Sequence, residues 1–295
     1  MKNHPSACTD FSENQISALL HLLSDQDPKI VQTIHEQIVA IGQPAISFLE
    51  QAHREQNNLV MSDRLSAILA DIKLVEIEKT FKVLTTKSED LIDLEMCAFL
   101  IGKTAYPDLN IQTARYHLET VIVGLQQQWN TSISPRESIH KINEYLFDDL
   151  GFKGNTRDYY DPDNSFLHQV LERRVGIPIS LSVLYLLIGQ RLNVPVVGIG
   201  LPGHFMVGLQ TEPVFIDCFN QGVFFTQKDC AKFLQRHSVE FEARYLEPTP
   251  NHHIIARMLR NLIAIYQKRD EPKQGDRFQR LLSIVEGMDI TSSQG

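Results

Sequence analysis

The sequence predicts a mainly helical α+β protein, with a buried central helix packed on a small antiparallel sheet and helical modules at both ends. Three observations carry this. Apolar residues recur at three- and four-residue spacing through most of residues 13–150. The stretch "SLSVLYLLIGQRL", Ser180 to Leu192, is apolar on nearly every face, with Leu181, Val183, Leu184, Leu186, Leu187 and Ile188. Only a helix packed on all sides reads that way. A β-rich run, "VPVVGIG", then precedes two strands at 205–209 and 214–219, with Thr211, Glu212 and Pro213 supplying the turn between them.

Residues 13–88 read as helices only. Ile16, Leu19, Leu20 and Leu23 form one stripe, and Ile30, Ile34, Ile38 and Ile41 the next. Asp27 is placed to cap the second helix with Pro28 at its first position, and Gly42 and Pro44 end it. Short amphipathic helices joined by "SDQDP" and "GQP" resemble a HEAT-type repeat, in which each pair buries its stripe against the next. Helix continues over 59–87. Ser88 then caps a new helix with Leu91, Leu94, Ala98 and Ile101 as its stripe, and Pro107 ends it. Two further helices are expected at 111–128 and 134–150. The second opens on "SPRE", a Ser134 cap with Pro135 next and Glu137 at the third helical position.

The texture changes after Gly151. "GFKGNTRDYYDPDNS" is a polar, turn-rich loop. Asn164 is expected to cap a helix running through Arg174, and Pro178 or Ser180 to start the buried one. The tail, 251–288, is helical with a break at "RDEPKQG", and its two helices resemble one tetratricopeptide-type hairpin docked as a cap. The expected division is 1–88 helical repeat, 89–250 core and 251–295 hairpin.

A formal charge of −8 argues against a nucleic-acid surface. The basic cluster Lys268, Arg269, Lys273, Arg277 and Arg280 is interleaved with Asp270, Glu271 and Asp276 and reads as a solvated face. Cys8, Cys97, Cys218 and Cys230 lack CxxC pairing, as reduced thiols in a cytoplasm do. The opening "MKNHPSACTDFSENQ" has no leader pattern and no stretch approaches a membrane span, so a soluble cytoplasmic protein is expected. No metal or cofactor is expected. Asp158, Asp161 and Asp163 lack the glycine and terminal Glu of a calcium loop, and His252–His253 has no acid or cysteine at metal spacing. "GLPGH" has no strand–helix phosphate context.

The chemistry-bearing pair is His204, opening one strand, and Asp217, inside the next. A turn centred on Gln210–Thr211 sets them directly opposite. A turn on Thr211–Glu212 sets His204 opposite Phe219, with Asp217 as its diagonal neighbour. Either register puts them on one face. A carboxylate behind an imidazole is the base-and-orienter half of a nucleophilic triad, and it is also an ordinary buried polar pair holding two strands. Cys218 points to the opposite face from Asp217 and reads as a small buried thiol.

A buried helix preceded by "RRVG", then "RLNVP", a strand opening "GHF" and an Asp strand resemble the transglutaminase-like core, a papain-type α+β fold. "DLEMCAFLIGKTAYPDLN", "YYDPDNSFLHQVLERRVGIPISLSVLYLLIGQRL" and "GLPGHF" are similar more specifically to the bacterial SirB family, which joins such a core to a tetratricopeptide-like tail. The resemblance implies His204 and Asp217 as base and orienter. Counting back from Pro195, it puts the nucleophile slot at Pro178, with Gly176 as the preceding glycine. Proline carries nothing that can attack. Ser182 lies one turn on from Pro178, and Ser180 two residues on. Either hydroxyl is a substitute nucleophile, or else a capping and packing residue. Tyr159, Tyr160, Asp161, Asn164 and Arg174 are candidates for the cleft mouth. Two readings follow: a non-enzymatic or vestigial transglutaminase-like protein that binds a protein or peptide partner, or a cysteine-less hydrolase or acyl-transferase using Ser180 or Ser182 with His204 and Asp217.

Overall fold

The computed structural model describes residues 13–86, 92–129 and 133–287. The chain divides into two compact units, Met1–Lys79 and Thr80–Gly295. The first holds α1 (Glu13–Leu22), α2 (Pro28–Ile41), α3 (Ile46–Glu55) and most of α4 (Leu59–Thr85). Asp27 caps α2, its carboxylate accepting from Lys29 N at 2.9 Å, with Pro28 at the first position where a missing N–H costs nothing. Gly42 ends the helix at φ 73°, the left-handed backbone that glycine adopts without steric cost. Ile16, Leu23, Ile34, Ile38 and Ile41 interlock with Leu49, Leu65 and Ile68 as one core. Ile30 departs from its expected stripe. It lies in the first turn of α2, faces outward and is 40% exposed.

The second unit begins with α5 (Leu94–Ala105), α6 (Ile111–Gln126) and α7 (Pro135–Asn143). The expected cap Ser88, the boundary at 88–89 and Leu91 lie outside the described residues. Asp93 caps α5, accepting from Met96 N at 2.9 Å. Ser134 and Glu137 make the reciprocal capping box that "SPRE" announces. Helical structure continues beyond α7 as a π-helical turn, Glu144–Asp149. After it come β1 (Lys153–Gly154), a 3-10 turn Pro162–Ser165, α8 (Leu167–Arg173), β2 (Val175–Gly176) and α9 (Pro178–Arg191). Asn164 does not cap α8. The 3-10 turn has already started behind Asp161, which accepts from Asp163 N at 3.1 Å, and Asn164 sits buried inside it.

Next are β3 (Val196–Ile199), β4 (Met206–Leu209), β5 (Phe215–Asp217), β6 (Val223–Phe225), α10 (Gln227–Arg236) and β7 (Pro248–Thr249). The chain closes with α11 (Asn251–Lys268) and α12 (Pro272–Val285). Only Arg269, Asp270 and Glu271 separate the last two helices, and Gly275 lies within α12. Among the described residues no helix is long and apolar enough to cross a membrane.

Strands β3 to β7 form one antiparallel sheet in the order β6-β5-β4-β3-β7, while β1 and β2 make a separate short parallel pair. Val207 pairs with Ile216 and Gly208 with Phe215, and Leu209 N bonds Val214 O at 3.0 Å. That is the register of a turn on Thr211–Glu212.

Because side chains alternate along strands, this register sorts the sheet into two faces. One presents Val197, Ile199, Met206, Phe215 and Phe225, which pack with Cys230, Phe233 and Leu234 of α10. The other presents Val196, Gly198, Val207, Ile216 and Cys218. Here α9 comes so close that a Cβ on Gly189 would lie 2.3 Å from Val196 Cγ2, and Ile254 of α11 closes on Gly198. Between these layers α9 is buried along Pro178–Gly189, so its uniform apolarity reflects neighbours on every side.

Candidate functional site

Asp217 ends β5 on the α10 face. Its Oδ1 accepts from Phe219 N at 3.1 Å and Asn220 N at 3.2 Å, and its Oδ2 from Asn220 Nδ2 at 2.7 Å. This is the local turn that aspartate favours at the end of an element. His204 enters from the Leu201–His204 turn, with Nε2 3.0 Å from Asp217 Oδ1. The two side chains are in ion-pair contact. Asp217 is 1% exposed and His204 7%. Burial pushes the Asp217 carboxyl up, but contact with His204 and the donors of Asn220 outweigh it and hold it below the usual aspartate range. The imidazole ring is packed by Phe233 at 5.2 Å and by the edge of Phe219 at 6.4 Å.

The other candidates are arranged differently. Pro178 is the first residue of α9, where its ring fits and its missing N–H is harmless. Ser180 Oγ accepts from Ile177 N at 3.0 Å and donates to Asn164 O at 2.5 Å, closing the helix start onto the preceding turn. Ser182 Oγ points to Phe205 O at 3.5 Å and also meets the Cys218 thiol, on the α9 face of the sheet. Among the described residues neither serine hydrogen-bonds His204. The structure brings His204 and Asp217 together, and it gives both serines other partners.

Burial pushes all three described thiols upward, those of Cys97 and Cys230 to about 12. None is therefore a thiolate at neutral pH.

At the expected mouth, Tyr159 and Tyr160 meet edge to face at 5.4 Å, and Tyr159 meets Phe219 at 5.9 Å. Asp161 pairs with Arg173 at 2.6 Å. Asn164 Nδ2 donates to Asp158 O at 2.7 Å, with its Oδ1 accepting from Asn155. Arg174 ends α8 in the left-handed conformation and donates to Leu150 O at 2.9 Å. Tyr159 and Tyr160 are thus at the surface beside the His204 corner, while Asp161, Asn164 and Arg174 tie the loop together. Among the described residues no group of three or more His, Cys, Asp or Glu is arranged to hold a metal ion.

Three residues at this corner gave little sequence signal. Asn220 was readable in principle, because "DCFN" sets an amide three residues after an aspartate. Phe219 looked like one more strand residue. Arg257 of α11 donates to the carbonyls of Leu201 at 2.8 Å and His204 at 2.7 Å, a long-range contact with no local pattern.

A UPF0162 protein of Xylella fastidiosa (strain Temecula1) is 33% identical over 212 residues, covering 68% of this chain and 75% of the relative. A UPF0162 protein of Vibrio cholerae is 28% identical over 179 residues, covering 58% and 65%. The human F-box only protein 21 is 30% identical over 205 residues, which is 65% of this chain but 30% of that protein. No solved structure matches the chain. The family described as the transglutaminase-like superfamily matches residues 112–260, a span that runs from α6 through the His204–Asp217 corner into α11. With half its length inside that match, the chain belongs to the transglutaminase-like superfamily.

Proposed function

We propose that this chain is a non-enzymatic or vestigial member of its superfamily that binds a segment of a protein or peptide partner. Pro178 carries the reading. It stands at the first position of α9, in the slot where the resemblance expects an attacking cysteine, and it has no group that can attack. The substitutes are poorly disposed. Ser180 already bonds both ends of the turn before α9, and Ser182 faces Cys218 across the sheet from the His204–Asp217 pair. The tail 251–295 as a tetratricopeptide-like hairpin, on the SirB pattern, and residues 1–88 as a separate HEAT-like segment outside that pattern would each offer a further helical surface to a partner. A cytoplasmic site of action fits the net charge of −8 and the cysteine usage, with neither nucleic acid nor membrane as partner.

The competing reading is a hydrolase or acyl-transferase using Ser180 or Ser182. It is favoured by the retained 3.0 Å His204–Asp217 contact, because a carboxylate so placed orients an imidazole as a base. Treatment with a fluorophosphonate serine probe separates the two. We expect labelling no greater than that of a folded Ser180→Ala/Ser182→Ala variant. Stoichiometric labelling at either serine, lost in His204→Ala, would make the chain an enzyme.

A further inference from the structure

Beside the His204 corner lies a strip of cations and tyrosines. Along α11, Arg257, Asn261, Ala264 and Lys268 recur at four- and three-residue steps and so share one side of the helix. Arg257 reaches the carbonyls of Leu201 and His204 through one nitrogen, and Lys268 Nζ lies 3.4 Å from the centre of the Tyr160 ring. From Tyr160 an aromatic path runs back through Tyr159 and Phe219 to His204, in steps of 5.4, 5.9 and 6.4 Å. The strip therefore has cations along one wall and tyrosines along the other, and both walls end at His204.

Three neighbouring cations are neutralised: Arg173 by Asp161 and Asp163, Arg260 by Glu286, and Arg269 by Glu271. Among the described residues neither Arg257 nor Lys268 has a carboxylate within ion-pair distance. Both cations instead lie on aromatic faces, Arg257 over Phe205 at 5.5 Å and Lys268 over Tyr160, beside the exposed Tyr159. Burial also lowers the proton affinity of the Arg257 guanidinium, as expected for a desolvated cation lacking an anion. Arg257 and Lys268 lie eleven helical steps apart, about 16 Å at 1.5 Å each, which an extended peptide covers in about five residues.

We propose that this strip takes an extended acidic polypeptide segment, with one carboxylate at Arg257 beside His204, a second at Lys268, and the residues between lying on Tyr159 and Tyr160. This deepens the partner-binding reading above and rests on it. Carboxylate recognition by arginine, backed by tyrosine faces, is the complement of the charge and shape on offer. The carboxylate at Arg257 has two possible sources, an acidic side chain or a chain terminus.

The test is an NMR titration of the full chain, reading the Arg257 Nε–Hε and Tyr159 and Tyr160 signals. The probes are the C-amidated hexapeptide Glu-Ala-Ala-Ala-Ala-Glu, its Gln-for-Glu counterpart, and that counterpart with a free C-terminus. The amidated Glu peptide is expected to shift all three residues, and its Kd to rise about tenfold in Arg257→Gln and in Lys268→Gln. Binding should also weaken with added salt. Shifts with the free-terminus Gln peptide identify a chain end as the Arg257 ligand, and shifts with the amidated Glu peptide alone identify a side chain. Because Arg257 also steadies two carbonyls, Lys268→Glu, an exposed change, is the second variant. Wild-type affinity in Lys268→Glu, or equal affinity for the amidated Gln and Glu peptides, overturns the proposal while leaving a charge-blind peptide binder intact. If none of the three peptides shifts any of these signals, the peptide-binding role of this strip fails with it.

Discussion

The two faces of the five-stranded sheet are built to opposite ends. The α9 face is a packing surface: Val196 sits on Gly189, Ile254 closes on Gly198, and Ser182 lies beside Cys218. Its polar groups satisfy one another or the backbone. The α10 face carries the same apolar lining but admits, at its end, a carboxylate and an imidazole with an aromatic surround open to the surface. In a nucleophilic enzyme of this type, attacker and base must share one space within hydrogen-bond reach. Here Ser182 answers to the first face, Ser180 to the turn before α9, and the acid–imidazole pair to the second face.

Breaking the acid–imidazole corner should have the largest effect. Asp217→Ala strips three donors of their acceptor and leaves His204 without its neighbour, and is expected to cost about 3 kcal/mol in denaturant unfolding. A cost below about 1 kcal/mol would mean that the corner adds nothing to the fold. Next comes Gly189→Ala, which forces a methyl to 2.3 Å from Val196 Cγ2 and should cost about 1–3 kcal/mol despite its better helix propensity. Gly208→Ala on the opposite face meets Ile199 Cγ1 at 2.9 Å and Val197 Cγ2 at 3.5 Å, less tight than the 2.3 Å at Gly189, and should cost less. Reversal of that order would show the α9 face to be the looser one.

Ser180→Ala should cost about 1–2 kcal/mol and Ser182→Ala under about 1 kcal/mol. The first removes two short bonds at the buried helix start, leaving Ile177 N–H only its 3.3 Å bond to Asn164 O, whereas the second loses a 3.5 Å contact to Phe205 O and the weak one to the Cys218 thiol. The measurement is again denaturant unfolding. Smallest is the pH effect. The folded carboxyl of Asp217 is held low, so its stabilisation is full above the unfolded value, about pH 4. It is lost as pH falls through the lower folded value. Folded Asp217→Asn should therefore show a shallower loss of stability below about pH 4 than the parent. Identical acid profiles would remove the carboxylate's claim.

Much of this was legible residue by residue. Asp27–Pro28 and Ser134–Pro135–Glu137 mark helix starts because a side-chain acceptor followed by proline satisfies the first turn without any distant partner. The uniform apolarity of 181–188 announced a helix with neighbours on all sides. Asn164 misled, because an amide just before a helix reads as its cap, whereas here its side chain ties back to Asp158 O and Asn155 in the preceding loop. Ile30 misled because periodicity defines a stripe but not where a neighbouring helix stops covering it. Arg257 was silent, since an arginine on an amphipathic helix looks solvated until the turn it holds is seen.

Alternation along two strands was enough to put His204 and Asp217 on one face, whatever the hairpin register, because a shift of the turn by one residue in this pairing keeps their parity. The same local rule could not say which helix would cover that face. That depends on how α9 and α10 layer against the sheet, a choice made by burial over the whole unit. It is this choice that separates the hydroxyl of Ser182 from the imidazole.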